Sequence, residues 1–207
     1  MSIYALKPGF QALLRPLVRR LHALGVTANQ VTLAACALSV ALGLWLSLAP
    51  APARAFLLLP LWLFLRMALN AIDGMLAREF GQQSRLGAYL NELTDVIADA
   101  ALILPFATIM PFASGHGPLW LATLALLAAL SEFAGALGAT VGASRRYDGP
   151  MGKSDRAFVL GALGLWVGLA GTLPAWVAWL APALCALVAW TIARRVRNGL
   201  REAAARG

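Results

Sequence analysis

Six long apolar runs constrain this chain more than any other feature. They cover Val31–Leu48, Ala55–Ala77, Leu86–Met110, Pro118–Gly142, Ala157–Gly171 and Pro174–Ala193. A bilayer-spanning helix needs about 20 mostly apolar residues, so the pattern predicts six spans. The breaks between them are turn-like: APAPAR at 49–54, REFGQQSR at 78–85, PFASGHG at 111–117, ASRRYDGPMGKSDR at 143–156 and GTLP at 171–174. The last break rests mainly on Pro174. Strand-like alternation is absent, which argues against a β-barrel. Composition agrees: 60% of residues are hydrophobic and 13% charged, against about 45–50% and about 25% in soluble domains. A disordered chain is excluded by the apolar content, and a disulfide scaffold by having only two cysteines. Cys36 and Cys185 both fall in apolar runs, as small buried hydrophobes. His22 and His116 have no partners at metal-ligand spacing and are given no role.

The net charge of +8 reads as a topology signal, not as a nucleic-acid surface. With both termini inside, inner segments hold 15 of the 17 basic residues, as the positive-inside rule requires. Arg54 alone falls outside, and Arg66 lies within a span. Ahead of the first span, Ile3, Leu6, Phe10, Leu13, Leu14, Leu17 and Leu21 recur at helical spacing between Arg15, Arg19 and Arg20. This predicts an amphipathic helix in the interface plane. Val26-Thr27-Ala28-Asn29 offers a capped start to the first span. The apolar run before Ala51-Pro52-Ala53 is too long, and its leader too extended, for a cleaved signal peptide. The expected division is a juxtamembrane segment (1–29), a six-helix membrane domain (30–193) and a basic cytoplasmic tail (194–207).

Charge inside a membrane helix is costly and usually functional. Five of the nine acidic residues (Asp73, Glu79, Glu92, Asp95, Asp99) lie within 27 positions. At about 100° per residue, Asn91, Glu92, Asp95 and Asp99 share one sector of a helix. Asn70, Asp73, Gly74 and Ala77 share one sector of the helix before it. A short loop predicts that the two helices are antiparallel neighbours whose oxygen-rich faces meet. Carboxylates without His or Cys suit hard divalent ions such as Mg²⁺ or Mn²⁺. A pair of such ions is a common device for neutralising a phosphoryl group during displacement. The small Gly74 and Ala77 let a ligand approach the backbone, and Arg78 is placed to pair with a phosphate.

The spacing Asn70-x2-Asp73-Gly74-x2-Ala77-Arg78-x8-Gly87-x3-Asn91-x3-Asp95 resembles that of the CDP-alcohol phosphotransferase family, D-x2-D-G-x2-A-R-x8-G-x3-D-x3-D. Six of eight positions match in type and all eight in spacing. Thr27-Ala28-Asn29 before the first span and Gly152-Lys153 after the fourth are similar to family features too. The resemblance implies an all-α, polytopic membrane enzyme with six transmembrane helices preceded by an amphipathic interfacial helix. It implies transfer of a phosphatidyl group from a CDP-linked lipid, such as CDP-diacylglycerol, to the hydroxyl of a small polar alcohol, with release of CMP. By position, Asn70, Asp73, Asn91 and Asp95 would face Mg²⁺ or Mn²⁺, and Asp95 would also be the general base. Asn29, Gly74, Ala77, Arg78 and Gly87 would hold the cytidine diphosphate. A homodimer, a bacterial inner-membrane location and a cytoplasmic active site are further expectations.

Two family aspartates are Asn here, at Asn70 and Asn91. An amide oxygen can ligate a metal but brings no charge. Three readings stay open: a site rebuilt with Glu92 and Asp99, a site of weaker or single metal occupancy, and a non-catalytic relative. For the acceptor, Glu132, Arg145, Arg146, Lys153 and Arg156 are the expected contacts, and Glu132 is also placed to pair with Arg66. The basic loop suits an anionic acceptor, although the positive-inside rule alone predicts it. A small-solute transporter ranks last, because no inverted repeat is evident and the carboxylates gather at one side.

Overall fold

A computed structural model describes residues 7–48 and 51–206, with side chains from residue 9 onward, and these residues form no strand. Seven α-helices follow in order: α1 Lys7–Ala23, α2 Ala28–Leu48, α3 Leu58–Glu79, α4 Arg85–Ile103, α5 Gly117–Leu137, α6 Lys153–Ala170 and α7 Leu180–Arg206. Ile3 and Leu6 of the expected amphipathic face, and Ala49 and Pro50 of the first break, lie outside the described residues.

Among the described residues, four segments are long and apolar enough to cross a membrane: Ala28–Leu48, Ala53–Glu79, Gly117–Val141 and Ala175–Arg206. The sequence predicts six. The difference has a physical cause, because α4 and α6 carry the polar groups. Glu92, Asp95 and Asp99 lie in α4, and Lys153, Asp155 and Arg156 open α6. The apolar helices turn Leu33, Leu44, Leu61, Phe64 and Leu126, among others, outward. In a soluble protein such a belt would be a liability; here it marks a membrane protein.

Local signals explain the helix starts. Thr27 Oγ1 accepts from Gln30 N–H at 3.2 Å, and Gln30 Oε1 accepts from Thr27 N–H at 2.9 Å, a reciprocal capping box. Ser84 caps α4 by accepting from Gly87 N–H at 2.9 Å. At the start of α6, Asp155 accepts from Gly152 N–H at 2.9 Å. The loop before α6 lies on α7: Thr191 Oγ1 accepts from Met151 N–H at 3.2 Å. Gly149 has φ +118°, and a Cβ there would run into Thr191, so this close approach needs glycine.

The expected meeting of α3 and α4 is made by side chains, with Arg66 reaching Asp95 and Asp99. α2 packs on both, while α3 and α4 make scarcely any close backbone approach. α2 and α4 cross at Gly43, where any Cβ would meet the Ala101 carbonyl. α5 packs on α7 and on α4, and α6 packs on α3. Two apolar clusters result. One gathers Leu59, Leu63, Leu102, Phe106, Leu124, Val167 and Val188. The other joins α1, α2 and α3 through Val18, Ala28, Val31, Ile72, Met75 and Leu76. In α1 the inward residues are Leu14, Val18 and Leu21, while Leu13 and Leu17 remain uncovered. Along α3, Arg66 and Asn70 sit between the two clusters, where the opening between α3 and α4 lies.

Candidate active site

Two polar clefts adjoin in this opening. The first, about 430 Å³, is floored by α2, α3 and α4. Asn29, Gly74, Ala77, Arg78 and Gly87 all line it, together with Thr32, Asp73, Asn91 and Glu92. The structure thus brings together the five residues expected to contact cytidine diphosphate. The second, about 560 Å³, is lined by Arg66, Asn70, Asn91, Asp95, Glu132, Lys153 and Arg195, among others. Asn91, Arg145 and Tyr147 line both and form the shared wall. There the Arg145 guanidinium stacks over the Tyr147 ring, 4.8 Å from its centre.

Glycine at 87 is a spatial requirement. A Cβ there would stand 2.8 Å from Asn29 Oδ1 and 3.0 Å from Ser84 Oγ. At Gly74 the nearest atom would be Arg78 Nη2, also at 2.8 Å, and that is the free end of a flexible side chain.

The carboxylates fall into two kinds. Asp73 is buried and accepts a hydrogen bond from Thr32 Oγ1 at 2.8 Å; it forms no ion pair among the described residues. The others face fixed cations. Asp95 Oδ1 lies 2.5 Å from Lys153 Nζ and 3.4 Å from Arg66 Nη2. Asp99 is bound on both oxygens, by Arg66 Nη1 at 2.6 Å and by Arg156 Nη2 at 2.7 Å. Glu92 pairs with Arg145. Glu132 faces Arg156 at 3.1 Å, Arg195 at 3.5 Å and Arg145 at 3.7 Å. Arg66, Arg156 and Arg195 are each no more than 4% exposed. Among the described residues, no three His, Cys, Asp or Glu side chains converge as a ready metal site.

Glu132 therefore pairs with Arg145, Arg156 and Arg195, and not with Arg66, which is taken by α4. Arg156 lies beneath the clefts instead of lining them. Arg146 turns away to Asp148, at 2.7 Å, and to Glu202. It lines neither cleft, and it holds the Asp148 carboxyl below the usual carboxylate range by hydrogen bonding. Two site residues escaped the sequence reading. Thr32 is one hydroxyl in an apolar helix. Arg195 was counted with the basic tail, yet it bonds the Ser131 and Asp148 carbonyls. Its signal was periodicity: Leu184, Val188, Thr191, Arg195 and Gly199 follow one buried stripe of α7.

A family model for CDP-alcohol phosphatidyltransferases matches residues 25–193. The chain belongs to that family. It is 47% identical over 203 residues to the inner membrane protein YnbA of Escherichia coli (strain K12), covering 97% of each chain. It is 34% identical over 128 residues to an uncharacterized protein of Aquifex aeolicus (strain VF5), covering 62% of this chain and 61% of that one. Its fold matches the Mycobacterium tuberculosis phosphatidylinositol phosphate synthase PgsA1, crystallised with manganese and citrate. The TM-score is 0.70 at 21% identity, covering 89% of this chain and 88% of that one. As a member of this family of phosphatidyltransferases, the chain is placed with membrane-embedded transferases of phospholipid head-group chemistry.

Proposed function

We propose that this chain transfers a phosphatidyl group from CDP-diacylglycerol, or a related CDP-linked lipid, to a hydroxyl of a small polar alcohol, releasing CMP. The observation that carries this reading is the pair of adjoining clefts with a shared wall. A transferase must hold donor and acceptor side by side, so that reaction becomes effectively intramolecular. The first cleft suits the donor: Gly74, Ala77 and Gly87 admit the diphosphate close to backbone, and Arg78 and Arg145 neutralise it. The second suits the acceptor, with Glu132, Arg145 and Lys153 as its contacts.

The acceptor oxygen attacks the phosphorus bearing the lipid. A new P–O bond forms, the P–O bond to CMP breaks, and CMP leaves with the electron pair. Asp95, which lies against Lys153 and Arg66, takes the hydroxyl proton. Asp73, with amide oxygens from Asn70 or Asn91, is a donor set suited to a hard divalent ion, Mg²⁺ or Mn²⁺. Such an ion, when bound, polarises the diphosphate. We read Asp99, with both oxygens on arginines, and Glu92, paired with Arg145, as counter-ions and not as replacement ligands.

The six-span topology goes with this reading, with α4 and α6 crossing as polar members of the bundle. So do α1 lying in the interface, the three-part division at 29 and 193, cytoplasmic termini in a bacterial inner membrane, and a homodimer. The loss of carboxylates at Asn70 and Asn91 favours one competing reading, a CDP-lipid-binding relative without turnover. The experiment is CMP release by purified protein from CDP-diacylglycerol, with Mg²⁺ or Mn²⁺ and a panel of alcohols. Release with one alcohol supports the transferase. Nucleotide binding without release across the panel supports the competing reading.

A further inference from the structure

The centre departs from its family pattern at Asn70 and Asn91, and its two remaining motif carboxylates are not equivalent. Asn70 and Asn91 remove two negative charges. Of the motif carboxylates that remain, Asp73 has a hydroxyl for a partner, while Asp95 has two cations. Arg66 is not a mobile partner. It is 4% exposed, is held by Asp99 at 2.6 Å, and donates to the Asp95 main-chain oxygen at 3.2 Å. A second divalent ion against Asp95 would stand beside this fixed guanidinium. Like charges a few ångströms apart repel strongly where water is scarce. The amide of Asn91 offers dipole but no charge in return.

We propose that this centre takes a single divalent ion, at Asp73, and that Arg66, with Lys153, supplies the positive charge that a second ion would bring. The donor set fits one ion and does not fit two. The inference rests on the proposed use of a divalent ion at this site, but its test does not depend on turnover.

The test uses Mn²⁺ alone with the purified full-length chain. Equilibrium dialysis counts bound ions, and electron paramagnetic resonance reads coupling between them. One uncoupled Mn²⁺ per chain is expected; two coupled ions, or none, overturn the proposal. Asp73→Asn should weaken this binding at least about tenfold, and Asp95→Asn should leave it nearly unchanged; the reverse pattern places the ion elsewhere and overturns it. The double variant Asn70→Asp/Asn91→Asp should gain a second, coupled Mn²⁺. Adding Arg66→Gln with Asp99→Asn, which removes a cation and its buried partner together, should tighten that second ion by about tenfold. An unchanged second affinity would show that Arg66 does not hold the place. CMP release is assayed separately. Two coupled ions with CMP release defeat this inference alone; one ion without CMP release defeats the proposed activity alone.

Discussion

Asp73 and Asp99 are almost equally hidden, at 6% and 8% exposure, yet the protein surrounds them in opposite ways. Asp99 sits between two arginines that bind both of its oxygens. Through Arg156 it is linked to Glu132 and so to Arg195. Each carboxylate of that network has a cationic partner, and buried charges persist when they are paired in this way. Asp73 has one hydroxyl, and it opens on the first cleft. Burial alone therefore does not mark a functional carboxylate. What sets Asp73 apart is the lack of a built-in counter-charge among the described residues, which is the property a cationic ligand would need.

The sharpest way to break this comparison is to neutralise each carboxylate in turn. Asp73→Asn should lower CMP release at least about a thousandfold while leaving thermal unfolding of the purified protein nearly unchanged. Asp99→Asn should instead cost about 3 kcal/mol of stability, because it leaves Arg66 and Arg156 partly unpaired in the interior. If Asp99→Asn abolished turnover at full stability, Asp99 would belong with the catalytic groups and the contrast would fail. Arg156→Gln tests the same network from its cationic side, with a similar loss in unfolding measurements.

How far the sequence anticipated this division depends on the kind of signal. The helices are legible because apolar runs and caps are local: Thr27, read as the capped start of the first span, caps α2 in the structure. The cleft that gathers Asn29, Gly74, Ala77, Arg78 and Gly87 was legible through motif spacing. The pairing of charges was not. Spacing on a helical wheel puts Asp95 and Asp99 on one face, but it does not say which cations arrive from α3 and α6. Arg195 looked like topology, because a positive-inside tail and a buried counter-ion have the same letter in the sequence. The contact of α3 with α4 is carried by side chains, Arg66 on Asp95 and Asp99, for a related reason: a short loop fixes proximity of helix ends, whereas Gly43 lets α2 pack close against α4.

A smaller effect sharpens the role of the hydroxyl beside Asp73. Thr32→Val keeps the shape and removes the only side-chain hydrogen bond to that carboxylate found among the described residues. A hydrogen bond to a charged group is worth about 1.5–3 kcal/mol, but a ligand that binds Asp73 takes over part of that role. The expected result is about a tenfold weaker Mn²⁺ affinity, read by dialysis, with turnover at saturating metal reduced less. Equal losses in both would mean that Thr32 orders the cleft as a whole.

The smallest effect concerns the Arg146–Asp148 pair in the loop before α6, which lines neither cleft. Arg146 donates to Asp148 through Nε at 2.7 Å and Nη2 at 2.9 Å, and its hydrogen bonding holds the Asp148 carboxyl below its ordinary range. A carboxylate whose folded pKa is depressed contributes stability that is fully present above the unfolded value, about 4. That contribution is lost as pH falls through the folded value. The pair is partly exposed, so salt and solvent weaken it. Asp148→Asn should therefore lower stability slightly at neutral pH, and by the same small amount flatten the acid limb of the stability curve below about pH 4. The same substitution should leave Mn²⁺ binding unaltered, because Arg146 and Asp148 line neither cleft. An acid limb that keeps its full slope would move the acid-sensitive charge to the buried network, and the comparison between Asp73 and Asp99 would have to be redrawn around it.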